Sequence, residues 1–124
     1  MISIRRCEGD DIHYLMKFVE EYWGRFHIFA HSKKVIDWQH ATRDGYNFIL
    51  AWDGEVLVGV LGYIPIKRYD KELDVENIIW LALWKVRDDY QSSMVGLRLL
   101  SALGSMEPNE GFAVNGINAS VEPI

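Results

Sequence analysis

The stretch Asn77-Ile-Ile-Trp-Leu-Ala-Leu-Trp-Lys-Val86 is apolar at both parities. Ile78, Trp80, Ala82, Trp84 and Val86 share one face of an extended chain, and Ile79, Leu81 and Leu83 share the other. A strand of this composition has to be covered on both sides, so it is expected at the centre of a sheet. Polar Arg87-Asp-Asp-Tyr-Gln-Ser-Ser93 ends it, and Met94-Val-Gly-Leu-Arg-Leu-Leu-Ser-Ala-Leu103 restores apolar residues at helical density, continuing to Met106. Ser92 or Ser93 is the expected N-cap, since a hydroxyl there accepts an amide N–H of the first turn. A loop leading from a buried strand into a helix exposes unpaired N–H groups and the positive end of the helix dipole, which together make an anion site. Phosphate is the expected guest.

Composition sets the bounds around this stretch. A chain of 124 residues predicts a single domain, 1–124, that buries about two-thirds of the surface it exposes when unfolded. Hydrophobic residues at 49% and charged residues at 25% exclude a disordered chain, and five Trp favour a core with a pocket. The net charge of −5, with no basic stripe beyond the pairs Arg5-Arg6, Lys33-Lys34 and Lys67-Arg68, argues against nucleic acid as a partner. Cys7 stands alone, so neither an intrachain disulfide nor a cysteine metal site is expected, and the cytoplasm is the expected location. No apolar run reaches the ~18 residues of a membrane span and no signal-peptide pattern opens the chain, so no membrane partner is expected.

Outward from the central stretch, Ile2-Ser-Ile-Arg-Arg-Cys7 alternates as a half-buried strand. Gly9-Asp-Asp11 is a turn and cap. Ile12, Leu15, Met16, Val19, Tyr22 and Trp23 then recur at helical spacing up to Gly24, a C-terminal stop. Residues 25–30 read as a packed connector, and Ser32 caps a second helix carrying Val35, Ile36, Trp38 and Ala41. Tyr46 to Trp52 and Glu55 to Ile66 flank Asp53-Gly54, the signature of a β-hairpin with a type I′ turn. Gly59 and Gly62 inside the second of these strands predict a bulge or a close approach. The charged run Lys67 to Glu76 reads as a solvated loop, and Gly111 to Ile117 as a last strand. The order is strand, two helices, three strands, helix, strand. Helix-connected strands are expected to be parallel and the hairpin pair antiparallel, which makes the sheet mixed.

The run Val86-Arg-Asp-Asp-Tyr90-Gln91-Ser-Ser-Met94-Val-Gly96 resembles the acetyl-CoA loop of the GCN5-related N-acetyltransferases, in which a hydrophobic strand is followed by a basic residue or Gln, then x-x-Gly-x-Gly or Ala. Gln91 and Gly96 match, and Met94 stands in place of the first glycine, where a missing side chain lets a ligand approach the backbone. The element order resembles the same family over nearly the whole chain. The resemblance implies an acyl-CoA N-acyltransferase-like fold of α/β, mixed α+β, type: a largely antiparallel central sheet with helices on both faces, here expected to lack its C-terminal helix and strands. It implies acetyl-CoA as co-substrate, with no metal, and a small-molecule amine as acceptor. By resemblance, the cofactor would be held by Gln91, Ser92, Ser93, Met94, Val95 and Gly96, by the backbone around Trp84 and Val86 beside the pantetheine arm, and by Asn118. Replacing Met94 with Gly is expected to tighten CoA binding and, in a first helical turn, to cost up to ~1 kcal/mol of stability.

Acetyl transfer needs a deprotonated amine, a polarised thioester carbonyl and an acid for the leaving thiolate. Glu76, just before the central strand, is where the family often carries the base. Against this stands the plainer reading of one more solvated acid in a charged loop. Trp80 and Trp84 are expected in the core, as aromatics on a doubly buried strand. His27, His31 and His40 lack metal-ligand spacing and are expected to pack or lie at the surface. Tyr63 and Tyr69 are unremarked candidates for acceptor contact.

Asn118-Ala-Ser-Val-Glu-Pro-Ile124 follows a family pattern that continues to a Tyr acting as general acid, one residue further on. The chain is therefore expected to be inactive alone and to pair the uncovered edge of 111–117 as a homodimer. Trp23-Gly-Arg-Phe-His27-Ile with Asp37-Trp-Gln-His40 resembles acetyltransferases of bacterial polysaccharide synthesis, which implies an amino-sugar acceptor. Two rivals remain: a noncatalytic module of the same fold that binds a ligand or partner, and a small α+β sensor domain.

Overall fold

Alternating Ile2–Arg6 forms β1, an edge strand. A computed structural model describes residues 1–24, 26–65, 78–107 and 111–114 of the chain. After β1 a 3-10 turn, Gly9–Asp11, leads into α1, Ile12–Tyr22. Asp11 holds the junction through its carboxylate, which takes both Arg5 Nη atoms (2.5 and 2.9 Å) and the Glu8 N–H (2.9 Å). Helix α1 buries Ile12, Leu15, Phe18 and Val19 and stops at Gly24, whose φ of +141° no other residue type adopts readily. The connector expected next contains one helical turn, α2 (Ile28–His31), capped by His27 Nδ1, which accepts the Phe29 N–H at 3.1 Å. Ser32 caps α3 (Lys33–His40) as expected, its Oγ accepting the Val35 N–H at 3.2 Å.

A small ribbon, β2 (Ala41–Thr42) with β3 (Gly45–Tyr46), then returns the chain to the sheet. Strand β4 (Phe48–Asp53) enters beside the C-terminal end of β1, where the Cys7 N–H donates to Phe48 O at 2.8 Å. The chain therefore runs back along β1, and the pair is antiparallel. The parallel pairing expected across the helices is corrected here: α1 carries the chain away and α3 brings it back to the end it left. Among the described residues, parallel geometry arises only where a single helix, α4 (Val95–Met106), joins β6 (Ile78–Val86) to β7 (Gly111–Val114). The main sheet has the order β1-β4-β5-β6-β7, with β5 spanning Val56–Pro65.

The hairpin of β4 and β5 turns at Gly54-Glu55, since Asp53 pairs with Val56. Gly54 has φ +62° and Glu55 does not have positive φ, the signs of a type II′ turn rather than the expected type I′. Both glycines of β5 sit by bulges. The register shifts beside Gly59, between Ala51 and Trp52, and again between Gly62 and Tyr63. A Cβ at Gly62 would lie 2.7 Å from the Phe48 ring, and one at Gly59 would lie 3.1 Å from Val95, so the close approach is to this chain's own side chains.

The sheet separates two apolar layers. Leu15, Phe18, Phe29, Ile36, Phe48, Leu50, Val60 and Leu83 fill the α1–α3 side. Ile49, Val58, Leu61, Tyr63, Ile79, Leu81, Val86, Val95, Leu99 and Leu103 fill the α4 side. This is the mixed, largely antiparallel sheet with helices on both faces that the element order predicts.

Candidate functional site

Strand β6 is paired on one side with β5 along its length and on the other with β7, from Ile78↔Gly111 to Leu81↔Val114. Among the described residues no strand partners β6 on that second side beyond Leu81. Residues 82–86 therefore offer extended backbone toward the loop that follows. Ala82 is skipped in the register between Gly62↔Leu83 and Tyr63↔Leu81, and this bulge reverses the parity of the strand. Ile79, Leu81, Trp84 and Val86 join the α4 layer, while Leu83 turns to the opposite one. The expectation that Trp80 is core is corrected: it is 40% exposed, on the face away from Ile79 and Leu81, and its neighbour Ala82 is exposed too.

Beyond Val86 the chain stays tied to β5 by the Arg87 N–H, which donates to Val58 O at 2.9 Å. A 3-10 segment, Asp88–Ser93, follows, and Met94 then adopts φ +63°, ψ +21°. Its carbonyl accepts the Arg98 N–H at 3.0 Å, so Met94 is the N-cap of α4, and no side chain caps the helix. The serine cap is thereby corrected. Both serines still belong to the 3-10 turn, and the change of direction into α4 takes a left-handed residue, which falls at position 94. The amides of Val95, Gly96 and Leu97 have no intrahelical acceptor and stand at the positive end of the dipole.

Among the described residues, the charged and amide side chains around this loop are engaged with other groups of the chain. Arg87 is held in a two-pronged ion pair by Asp89 (3.1 and 2.9 Å), with its guanidinium 5.3 Å from the Tyr22 ring and 5.6 Å from the Tyr90 ring. Gln91, exposed, donates to Asp88 at 3.3 Å, and Arg98 reaches back to Ile2 O at 3.3 Å. The two arginines of the loop and first turn are thus engaged within the chain, and an anion would meet N–H groups. A groove of about 320 Å³ flanks the loop, with Arg87, Lys17 and Tyr22 on its walls.

The residues expected at the site are brought together in part. Val95 is fully buried and anchors the start of α4. A Cβ at Gly96 would stand 3.6 Å from Trp84 Nε1 and 3.7 Å from Val86 Cγ2, so those two side chains seat the start of the helix. Met94 is exposed, and Ser92 and Ser93 close the 3-10 segment. Glu76, Tyr69 and Asn118 lie outside the described residues. Tyr63 is fully buried in the α4-side layer with its hydroxyl donating to Glu107 at 3.1 Å, so it presents no surface to an acceptor; burial also raises its pKa. His40 is buried with Nδ1 3.2 Å from Tyr63 O. Cys7 is buried and its thiol is pushed up to about 12, chiefly by burial, which makes it a poor nucleophile. Among the described residues no cluster of His, Cys, Asp and Glu is arranged to hold a metal, and no helix is long and apolar enough to cross a membrane. Periodicity missed Trp80, because the bulge that Gly62 announces in β5 skips Ala82 of the partner strand, where the sequence of β6 carries no mark of it, and it missed Tyr90, which nothing distinguished from a packing residue.

No protein-family model and no curated protein matches this chain. Solved structures do. An aminoglycoside acetyltransferase from an uncultured soil metagenomic sample, in complex with trehalose, is 16% identical with a TM-score of 0.69, over 98% of this chain and 81% of that one. The aminoglycoside acetyltransferase AAC(6')-Iy, in complex with a bisubstrate analogue of CoA, is 13% identical with a TM-score of 0.70, over 99% and 84%. A ribosomal-protein-alanine N-acetyltransferase from Brucella melitensis biovar Abortus 2308 is 11% identical with a TM-score of 0.68, over 96% and 82%. At such identities the likeness is one of fold, and the fold is that of the acyl-CoA N-acyltransferases.

Proposed function

We propose that this acyl-CoA N-acyltransferase fold transfers an acetyl group from acetyl-CoA to a primary amine, carried on an amino sugar. The observation that carries the reading is the left-handed N-cap at Met94, which starts α4 with no side-chain cap and leaves the amides of Val95, Gly96 and Leu97 without an intrahelical acceptor. A diphosphate there would accept those N–H groups without a cationic side chain. The pantetheine arm would lie along the backbone of 82–86, on the side where β7 has ceased to pair among the described residues. The thioester would then come to the level of Trp80 and Ala82, on the uncovered face. Attack of the neutral amine on the thioester carbon forms the C–N bond. Collapse of the tetrahedral intermediate breaks the C–S bond, the amine loses its proton to a base, and the thiolate takes one up. Glu76, at the approach to β6, is proposed as that base, and Asn118 as a cofactor contact.

A binding module without chemistry is the second reading, and the exposed side chain of Met94 at the anion site is what favours it. Thermal unfolding separates the two classes from a protein that binds no CoA. Acetyl-CoA at a hundredfold over its Kd is expected to stabilise the chain by ~2.7 kcal/mol, and adenine alone is expected to leave it unchanged. Unchanged melting at millimolar acetyl-CoA overturns both. Thiol release with amino-sugar acceptors then decides between enzyme and module.

A further inference from the structure

The loop from Arg87 to Met94 has to hold its left-handed exit in place, and the contact that pins its middle comes from elsewhere in the chain. Tyr90 is half-buried against the α4-side core, and its hydroxyl donates to Asp53 Oδ2 at 2.5 Å, a charge-assisted bond at the short end of the range for a phenol and a carboxylate. Asp53 is the last residue of β4, opposite Val56. The turn beyond it is made by Gly54, which supplies the positive φ, so the turn does not require an aspartate at 53. The same strand end stands two rungs from Ala51↔Gly59, and Gly59 packs against Val95 in the first turn of α4. The hairpin thus meets the cofactor loop on both sides of Met94, by a hydrogen bond to Tyr90 before it and by packing on Val95 after it.

We propose that Asp53 is a positioning residue for the β6–α4 loop, acting through Tyr90 to hold the helix amides in the arrangement that receives a diphosphate. This rests on the reading of that loop as a diphosphate site. The two partners are 37 residues apart in the chain, and the bond links the far end of the hairpin to the loop. The carboxylate also has its pKa lowered, first by the Tyr90 hydrogen bond, so it is charged at neutral pH and keeps its acceptor role.

The test uses the full chain with Asp53→Ala, Tyr90→Phe, the double variant, and Asp53→Asn, which keeps a carbonyl oxygen as acceptor. Two readouts are needed: amide hydrogen exchange over residues 88–98 without ligand, and acetyl-CoA affinity with KM and kcat. Asp53→Ala and Tyr90→Phe are each expected to speed exchange in that segment about tenfold and to raise the acetyl-CoA Kd and KM five- to tenfold, with kcat within twofold. The double variant is expected to match either single one, and Asp53→Asn to recover most of the loss. Unchanged exchange over 88–98 in both single variants overturns the positioning role. So does a loss confined to kcat, which a merely structural defect would give by reducing the folded fraction. A wild-type chain that binds no acetyl-CoA overturns the diphosphate reading instead, while the exchange measurement still decides whether Asp53 holds the loop.

Discussion

Met94 holds a conformation that costs a side-chain-bearing residue roughly 1–2 kcal/mol and costs glycine nothing. Read from the sequence, Met94→Gly places glycine in a helical turn and loses stability. The structure reverses the sign, because position 94 is the N-cap and left-handed. Met94→Gly is expected to raise stability by up to ~1 kcal/mol, reduced by the greater freedom of the unfolded chain, and to tighten acetyl-CoA. Urea unfolding and calorimetric titration check the two effects; a fall in stability would mean that the left-handed turn is absent in solution. Trp80 is the second residue whose role the fold changes. With 40% of its surface exposed beside the proposed thioester position, Trp80→Ala is expected to raise the acceptor KM severalfold while costing less stability than a buried-core truncation. A KM for acceptor equal to wild type would return Trp80 to a packing role.

Among the described α-helices, α2 is the shortest, and it has an unusual cap. His27 Nδ1 accepts an N–H, so the ring has to be neutral at that nitrogen, and burial lowers the His27 pKa below its ordinary 6.5. The unfolded chain therefore binds this proton more readily than the folded one does. Stability is expected to hold above pH 6.5 and to fall as pH drops below it toward the folded value, then to level once both states are protonated. His27→Asn, which caps without titrating, is expected to remove that slope between pH 7 and pH 5 in thermal melts. A slope that survives the substitution would assign it to another group. Strand β6 carries the complementary lesson. Its apolar run announced a central strand covered on both sides; β6 lies inside the sheet between β5 and β7, but β5 holds the centre, one bulge at Ala82 moves Leu83 across the sheet, and Trp80 is exposed.

At the scale of the molecule, the sheet divides two cores that share no residue. Leu15 beneath α1 and Leu99 in α4 are both fully buried, on opposite faces. Leu15→Ala and Leu99→Ala are each expected to cost 2–5 kcal/mol, and the double variant to cost their sum within about 0.5 kcal/mol. Denaturant midpoints measure this, and marked non-additivity would show that the sheet transmits strain between its faces. The sequence by itself determined the order of the main elements, the place of β6 inside the sheet, the hairpin, the cap at Ser32 and the strand–loop–helix from β6 into α4. Each is a local consequence of period, turn chemistry or capping, visible within a dozen residues. Only the tertiary structure decided the antiparallel pairing of β1 with β4, the left-handed state of Met94, the exposure of Trp80 and the bond between Tyr90 and Asp53. Those depend on where the chain returns to the sheet and on bulges that shift register by one residue, and both are set by packing between segments far apart in the chain.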